Sequence, residues 1–181
     1  MDLTLITIVV GFGLTELLLR FEKLFAARRG IRWDALPLAW ALLILIGVVN
    51  YWWGIREVLA HASAWPTGIF MVVMAAPIFL YLACAAALPR IEHGAPLDMK
   101  AAYAEQRAPF LSFFLLYQCS NWLLDLIGVV GAPPLVVVVH RTGVCVALVV
   151  ALIARSRRWD WLAVGAAAAA YVLRLVTQTV H

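Results

Sequence analysis

The 181-residue chain is 65% hydrophobic and only 13% charged, with a mean hydropathy of +0.95 and a formal net charge of +4. Soluble domains are about 45–50% apolar and about 25% charged, so this composition excludes a soluble enzyme, a disordered tail and a nucleic-acid binder, despite a pI near 9.3. The basic balance is read as a record of membrane topology, with the lipid bilayer as the principal partner.

A helix needs about 20 mostly apolar residues to cross ~30 Å of hydrocarbon. Six segments meet that length: 3–25, 35–55, 66–88, 109–130, 134–154 and 161–179. The N-terminus, MDLTLITIVVGFG, starts with an acid and has neither a basic region nor a small-residue cleavage site, so it reads as a retained first span. Pro66, Pro109 and Pro134 are expected to open spans three, four and five, where a missing N–H costs least. Before span four, Asp98 is expected to cap a short interfacial helix ending near Arg107.

Lysine and arginine set the orientation. Eleven of the 14 basic residues flank or fill loops one, three and five: Arg20, Lys23, Arg28, Arg29, Arg32, Arg90, Lys100, Arg107, Arg155, Arg157 and Arg158. Those loops are expected in the cytoplasm, with the N and C termini outside. Trp33, Trp52, Trp53, Trp65, Trp159 and Trp161 fall at the span ends, where an interfacial aromatic belt belongs. The fold expected is all-α: one transmembrane domain over residues 1–181, built as a six-helix bundle.

Packing between spans relies on small residues. Thr7, Gly11 and Thr15 form a small-residue face on span one, and Gly165 opens an alanine-rich stretch in span six. Span three is almost wholly apolar and is assigned a lipid-facing or scaffold role. Cys84, Cys119 and Cys145 sit inside apolar runs without metal-ligand or CxxC spacing, and read as small buried hydrophobes.

Ionisable groups at membrane depth are costly, which makes them the first candidates for function. Gln118, Asn121 and Asp125 share one face of span four, and span five carries His140, Arg141 and Thr142 in a row. A very short loop makes these spans antiparallel neighbours. Asp125 and Arg141 then lie at equal depth, about 9–10 Å in from the loop, and are expected to pair. Asn50 and Arg174 reach similar depth. Glu16 lies towards the other end of its span, one turn from Arg20, which is its expected partner. Convergence of these groups would line a polar path, with His140 able to titrate near neutral pH. Against this stands a bland reading in which the pair merely joins two helices and Arg174 snorkels outward.

No Gly-x-Ser-x-Gly, HExxH or phosphate-loop motif occurs. A retinal Schiff base needs a lysine in a span, but Lys23 and Lys100 lie at or outside span ends, and His61, His93 and His181 fall outside the expected hydrocarbon core, so neither a cofactor nor a metal is expected. Three functional readings stay open: a small channel or transporter using the polar cluster, a non-catalytic accessory or scaffold subunit of a larger membrane complex or homo-oligomer, and an enzyme acting on a lipid-borne substrate.

The segments VVGFGLTELL, ARRGIRWDALPLAWALLILIGVVNYWWG and LDMKAAYAEQRAPFLSFFLLYQCSNWLLD resemble a broad set of small bacterial integral membrane proteins of unknown function. The resemblance covers roughly residues 5 to 130. It implies a location in the bacterial inner membrane and brings no catalytic set with it.

Overall fold

Two aspartates start two of the helices. The Asp34 carboxylate accepts a hydrogen bond from the Leu36 N–H at 2.8 Å, and Asp98 accepts from the N–H groups of Lys100 and Ala101 at 2.9 and 3.3 Å. Each satisfies N–H groups that a helix start leaves without an internal partner. The computed structural model describes residues 4–60, 67–90, 96–126, 133 and 135–179. Among these are six α-helices: α1 (Thr4–Ala26), α2 (Ala35–Ala60), α3 (Thr67–Ala87), α4 (Met99–Leu126), α5 (Leu135–Ala154) and α6 (Arg157–Thr179). By length and composition α1, Ala35–Arg56 within α2, Gly68–Ala87 within α3, and α5 are able to cross a membrane. The other two are the more polar pair: α4 carries Lys100, Glu105, Arg107 and Asp125, and α6 carries Arg157, Arg158, Asp160 and Arg174.

Helix α4 departs from expectation. The lead-in capped by Asp98 and the apolar stretch after it form one helix, with Pro109 inside rather than at its start. Proline removes one backbone donor there, but the cap at Asp98 and the buried face running through Phe110 and Phe114 hold both halves in a single helix. Pro66, Pro134 and Trp65, with the three histidines outside the spans, lie outside the described residues.

Helix α2 is the central element. In its apolar window 56% of residues are buried, against 28% in α1 and 17% in α5, so α1 and α5 are the peripheral helices. Helix α3 packs against α1, α2 and α4 and buries Val73, Met74, Ala76, Leu80, Ala83 and Cys84. Of its two expected roles it takes the scaffold one. Helix α6 packs on α5 and α2 and buries Ala163, Val164, Ala167 and Tyr171, a stripe at helical spacing. Trp33, Trp53, Trp159 and Trp161 stand exposed near helix ends.

Of the two small-residue stretches, that of α1 faces outward, whereas that of α6 buries Ala167 in the bundle. Thr7, Gly11 and Thr15 are on the exposed side of α1, and nothing lies within 4 Å of a Cβ added at Gly11 or at Gly165. The close approach comes at Gly13, where an added Cβ would stand 3.3 Å from the Tyr81 Cα and 3.4 Å from the Cys84 sulfur of α3. Gly13→Val is therefore expected to push α1 off α3 and lower stability by about 1–3 kcal/mol, whereas Gly11→Val stays within about 0.5 kcal/mol of the parent. Thermal unfolding of both variants in detergent micelles checks the difference; equal melting would refute this packing.

Candidate functional site

The polar groups fall into two knots, one at each end of a single face of α4. Tyr103, Arg107, Phe110, Phe114, Tyr117, Asn121 and Asp125 recur at three- or four-residue steps and so share that face. Its middle is aromatic. Trp40 of α2 meets the edges of Phe110 and Phe114 at 5.3 and 5.7 Å between ring centroids, and Tyr117 continues the column to Tyr51 of α2 at 6.1 Å. Such pairs each add about 0.5–1.5 kcal/mol beyond the area they bury.

At the end bearing the basic connections, Arg107 places Nε 2.8 Å and Nη2 2.7 Å from the two Asp160 carboxylate oxygens, and Nη2 also donates to the Ala151 carbonyl. That carbonyl belongs to the last turn of α5, which closes where Arg155 takes a positive φ of 46°. One guanidinium thus ties α4 to both α5 and α6. Tyr103 stands beside Asp160 and Trp40. Burial, reinforced by the Asp160 charge, raises its phenol well above the ordinary value, so it remains an O–H group.

Three further contacts close this end. Arg157 of α6 reaches both Asp34 oxygens at 2.6 Å. Ile31–Arg32 and Leu97–Asp98 form a two-residue parallel ladder, and Arg32 and Asp98 pair side by side at 3.4 Å. Arg20 binds Glu16 at 2.7 Å and also donates to the Leu88 carbonyl at 2.6 Å. The expected Glu16–Arg20 pair is formed, and it fastens α1 to the end of α3. Glu16 therefore stands apart from the polar cluster at the other end.

At that other end Arg141 of α5 donates to the Asp125 carboxylate and, at 3.0 Å, to the Asn121 carbonyl. Both side chains of the pair are mostly buried, with 15% of Asp125 and 18% of Arg141 exposed. The pair anticipated from equal depth is present. Arg174 of α6 lies close enough to act electrostatically on Asp125, Arg141 and His140. Its guanidinium does not reach away from the bundle: Nη2 would stand 2.7 Å from a Cβ at Gly54 of α2. One turn before it, the Tyr171 hydroxyl would stand 2.6 Å from a Cβ at Gly47. The two glycines form a smooth strip on α2 that receives both side chains.

The remaining expected residues are less involved. His140 makes a local contact between Nδ1 and the Val136 carbonyl at 2.8 Å. Asn121 turns its amide back to the Tyr117 carbonyl at 2.8 Å. Asn50 is buried and donates to the Ile46 carbonyl at 3.3 Å, and Gln118 is half-buried beside the stripe. Residue spacing did not single out Tyr51, Tyr117 and Tyr171, which bring three phenols to this end. The hydroxyls of Tyr51 and Tyr171, like the Tyr103 hydroxyl and the Trp40 indole N–H towards the other end, are buried with no hydrogen-bond partner among the described residues. The signal available in the sequence was a tyrosine within an otherwise apolar span, which core packing explains as readily. No protein-family model, curated protein or solved structure matches the chain. Among the described residues no cluster of histidine, cysteine or carboxylate side chains is arranged to hold a metal.

The knots differ in burial, and so in what each substitution costs. Asp160 is 1% exposed, and removing one partner of so buried a pair costs about 3–5 kcal/mol. Asp160→Asn is therefore expected to lose most folded protein, measured as monodisperse yield in detergent; an undiminished yield would remove the pair from this structural role. The Asp34 carboxyl is held below its ordinary value chiefly by the hydrogen bond from Arg157. A depressed acid contributes stability above its unfolded pKa and loses that contribution as pH falls through its folded one. Acid unfolding in the window below about pH 4 is accordingly expected to be shallower in Asp34→Asn than in the parent. Superimposed unfolding curves would show that Asp34 gains nothing from its partner.

Proposed function

We propose that the chain is a six-span protein of a bacterial cytoplasmic membrane, with both termini outside and the basic connections in the cytoplasm, and that it acts as a small channel or transporter. Four helices long and apolar enough to cross a membrane support the first part. The excess of arginine and lysine at one end, together with exposed tryptophans near the helix ends, supports the orientation. On this reading the Arg107–Asp160 knot closes the cytoplasmic end, and the Asp125–Arg141 cluster occupies the outer half.

The observation that carries the functional reading is the Asp125–Arg141 pair under the influence of Arg174, at the end of the bundle where the Tyr51 and Tyr171 hydroxyls are buried without a partner among the described residues. A dry helix joint needs no unpaired hydroxyls, because buried polar groups are stable only when satisfied. Hydroxyls left open beside charged groups suit a polar solute or water passing through the outer half. In this reading Asp125 and Arg141 form the gate or the substrate-charge site, and Tyr51 and Tyr171 offer hydrogen bonds to what passes.

A second reading, the accessory subunit, draws on a different observation: Gly11 and Gly165 open onto the bundle surface with nothing packed on them. Small residues on a lipid-facing helix permit close approach by another helix. Gly165→Leu separates the two, breaking an assembly under the second reading and leaving flux intact under the first.

The decisive test places the purified chain in vesicles and scans ions, amino acids, sugars and organic acids by solid-supported-membrane electrophysiology. Currents above those of empty vesicles are expected with the parent, falling about tenfold in Asp125→Asn, which corresponds to about 1.4 kcal/mol, while folded yield stays near normal. Silence from the parent across the whole scan would overturn the reading. So would loss of folded Asp125→Asn protein that is restored by also changing Arg141→Gln, because the pair would then be a structural joint.

A further inference from the structure

The expectation that all three cysteines are buried holds for Cys84 alone, since Cys119 is exposed and Cys145 half-buried. Small apolar groups facing outward suit a bundle surrounded by lipid. The end of α1 differs, because there exposed apolar surface meets unpaired charge. Leu18, Phe21 and Phe25 recur at steps of three and four and so share one face of the helix. Leu18 is 51% exposed and Phe25 57%, so the bundle does not cover this face. The Phe21 and Phe25 rings stack with centroids 5.8 Å apart, and Phe25 meets Trp33 edge-on at 6.1 Å. An aromatic ladder therefore runs along the last turns of α1 and on to the residue beyond them. At its end, Phe25, Ala26, Ala27, Arg28 and Arg29 line an open hollow of about 440 Å³, within the ~300–1,000 Å³ range of small-molecule sites. A tight turn, closed by the Gly30 N–H on the Ala27 carbonyl at 3.0 Å, carries both arginines. Both are exposed, and neither forms an ion pair or a side-chain hydrogen bond among the described residues. Glu22 and Lys23 on the preceding turn are exposed and opposite in sign, so together they leave the arginine charges uncancelled.

We propose that this hollow holds the phosphodiester headgroup of an anionic phospholipid, with Arg28 and Arg29 on the phosphate oxygens and an acyl chain lying along the Leu18–Phe21–Phe25 face. Charge complementarity selects an anion, and a guanidinium offers a phosphate two parallel N–H donors. The exposed apolar face selects a lipid over a free phosphate, because a small water-soluble anion has no apolar surface to bury there. The position agrees with this occupant. Helix α1 is long and apolar enough to cross a membrane and ends at Ala26, which sets the hollow at the lipid–water boundary. Trp33 stands 44% exposed beside it, at the level where tryptophans anchor to headgroups, and basic clusters at that boundary attract anionic lipids. The site rests on the membrane placement proposed above and is independent of transport.

The test strips the full chain of lipid in detergent and titrates it in native mass spectrometry. The probes are phosphatidylglycerol, phosphatidylcholine, inorganic phosphate and glycerophosphoglycerol, the last being the anionic headgroup without its acyl chains. The parent is expected to bind a first phosphatidylglycerol about tenfold more tightly than phosphatidylcholine, as two arginines at an anionic headgroup provide. Arg28→Gln with Arg29→Gln is expected to remove that preference. Arg155→Gln with Arg158→Gln, an equal loss of charge between α5 and α6, is expected to keep it. Phe25→Ala is expected to loosen phosphatidylglycerol and leave the preference in place. Equal loss in the two double variants would overturn the proposal, by showing attraction to charge spread over the whole end. Absence of a preference in the parent would overturn it too. Glycerophosphoglycerol or inorganic phosphate bound as tightly as the intact lipid would reveal a free-anion site and refute the lipid. Flotation with uncharged vesicles after an alkaline wash tests the membrane placement separately. A chain washed off the vesicles fails that placement, whereas one that floats without preferring phosphatidylglycerol fails the headgroup site alone.

Discussion

A guanidinium keeps its charge whether or not it is paired, so a buried one is tolerated only while its partners hold their places, and Arg107 imposes that condition on half of the bundle. Its fork binds both oxygens of Asp160 and the last-turn carbonyl of α5, so α4, α5 and α6 cannot separate without exposing an unpaired charge to an apolar interior. Around it, Asp34 and Asp98 each do two things. Each satisfies the start of a helix, and each holds an arginine from elsewhere in the chain. The segments that lead into α2 and α4 are thereby tied to each other and to the start of α6 at a single end of the molecule.

From that end the face of α4 runs through the aromatic column to a second, more open group of charges. The two knots use the same chemistry under different conditions. Arg107 binds both oxygens of Asp160 and a backbone carbonyl, and Asp160 is almost fully enclosed. Asp125 and Arg141 keep more contact with their surroundings, and two phenol hydroxyls nearby have no partner among the described residues. What separates the two ends is the burial of their charges, because polar atoms without a partner occur at both, Tyr103 and Trp40 near the first and Tyr51 and Tyr171 near the second.

The glycines show how backbone shape decides where charge can sit. Arg174 and Tyr171 rest on α2 only because Gly47 and Gly54 leave it bare there, and this turns a side chain otherwise expected to snorkel outward towards the polar group. On α1 the residue in contact is Gly13, two positions from the Thr7–Gly11–Thr15 face. The spacing of small residues in a sequence shows that a face allows close approach, without showing which of two adjacent faces is used.

Hydrophobic runs, basic connections and the cap at Asp98 determined the number of long helices and the common end of their charge, because each is a local property of length, composition or capping, whereas the joining of the lead-in to span four through Pro109 was decided by packing. The Asp125–Arg141 and Glu16–Arg20 pairs were legible for a similar reason: a short connection or a single helical turn leaves little freedom in where the partners meet. Contacts that join distant parts of the chain were not legible. Arg107 with Asp160, Arg157 with Asp34, the parallel ladder between Ile31–Arg32 and Leu97–Asp98, and the meeting of Tyr51 with Tyr117 all depend on how α2, α4 and α6 rotate about their axes and pack together. Rotation of one apolar helix against another is set by the detailed fit of side chains across the interface, so only the tertiary structure decided which polar groups face each other.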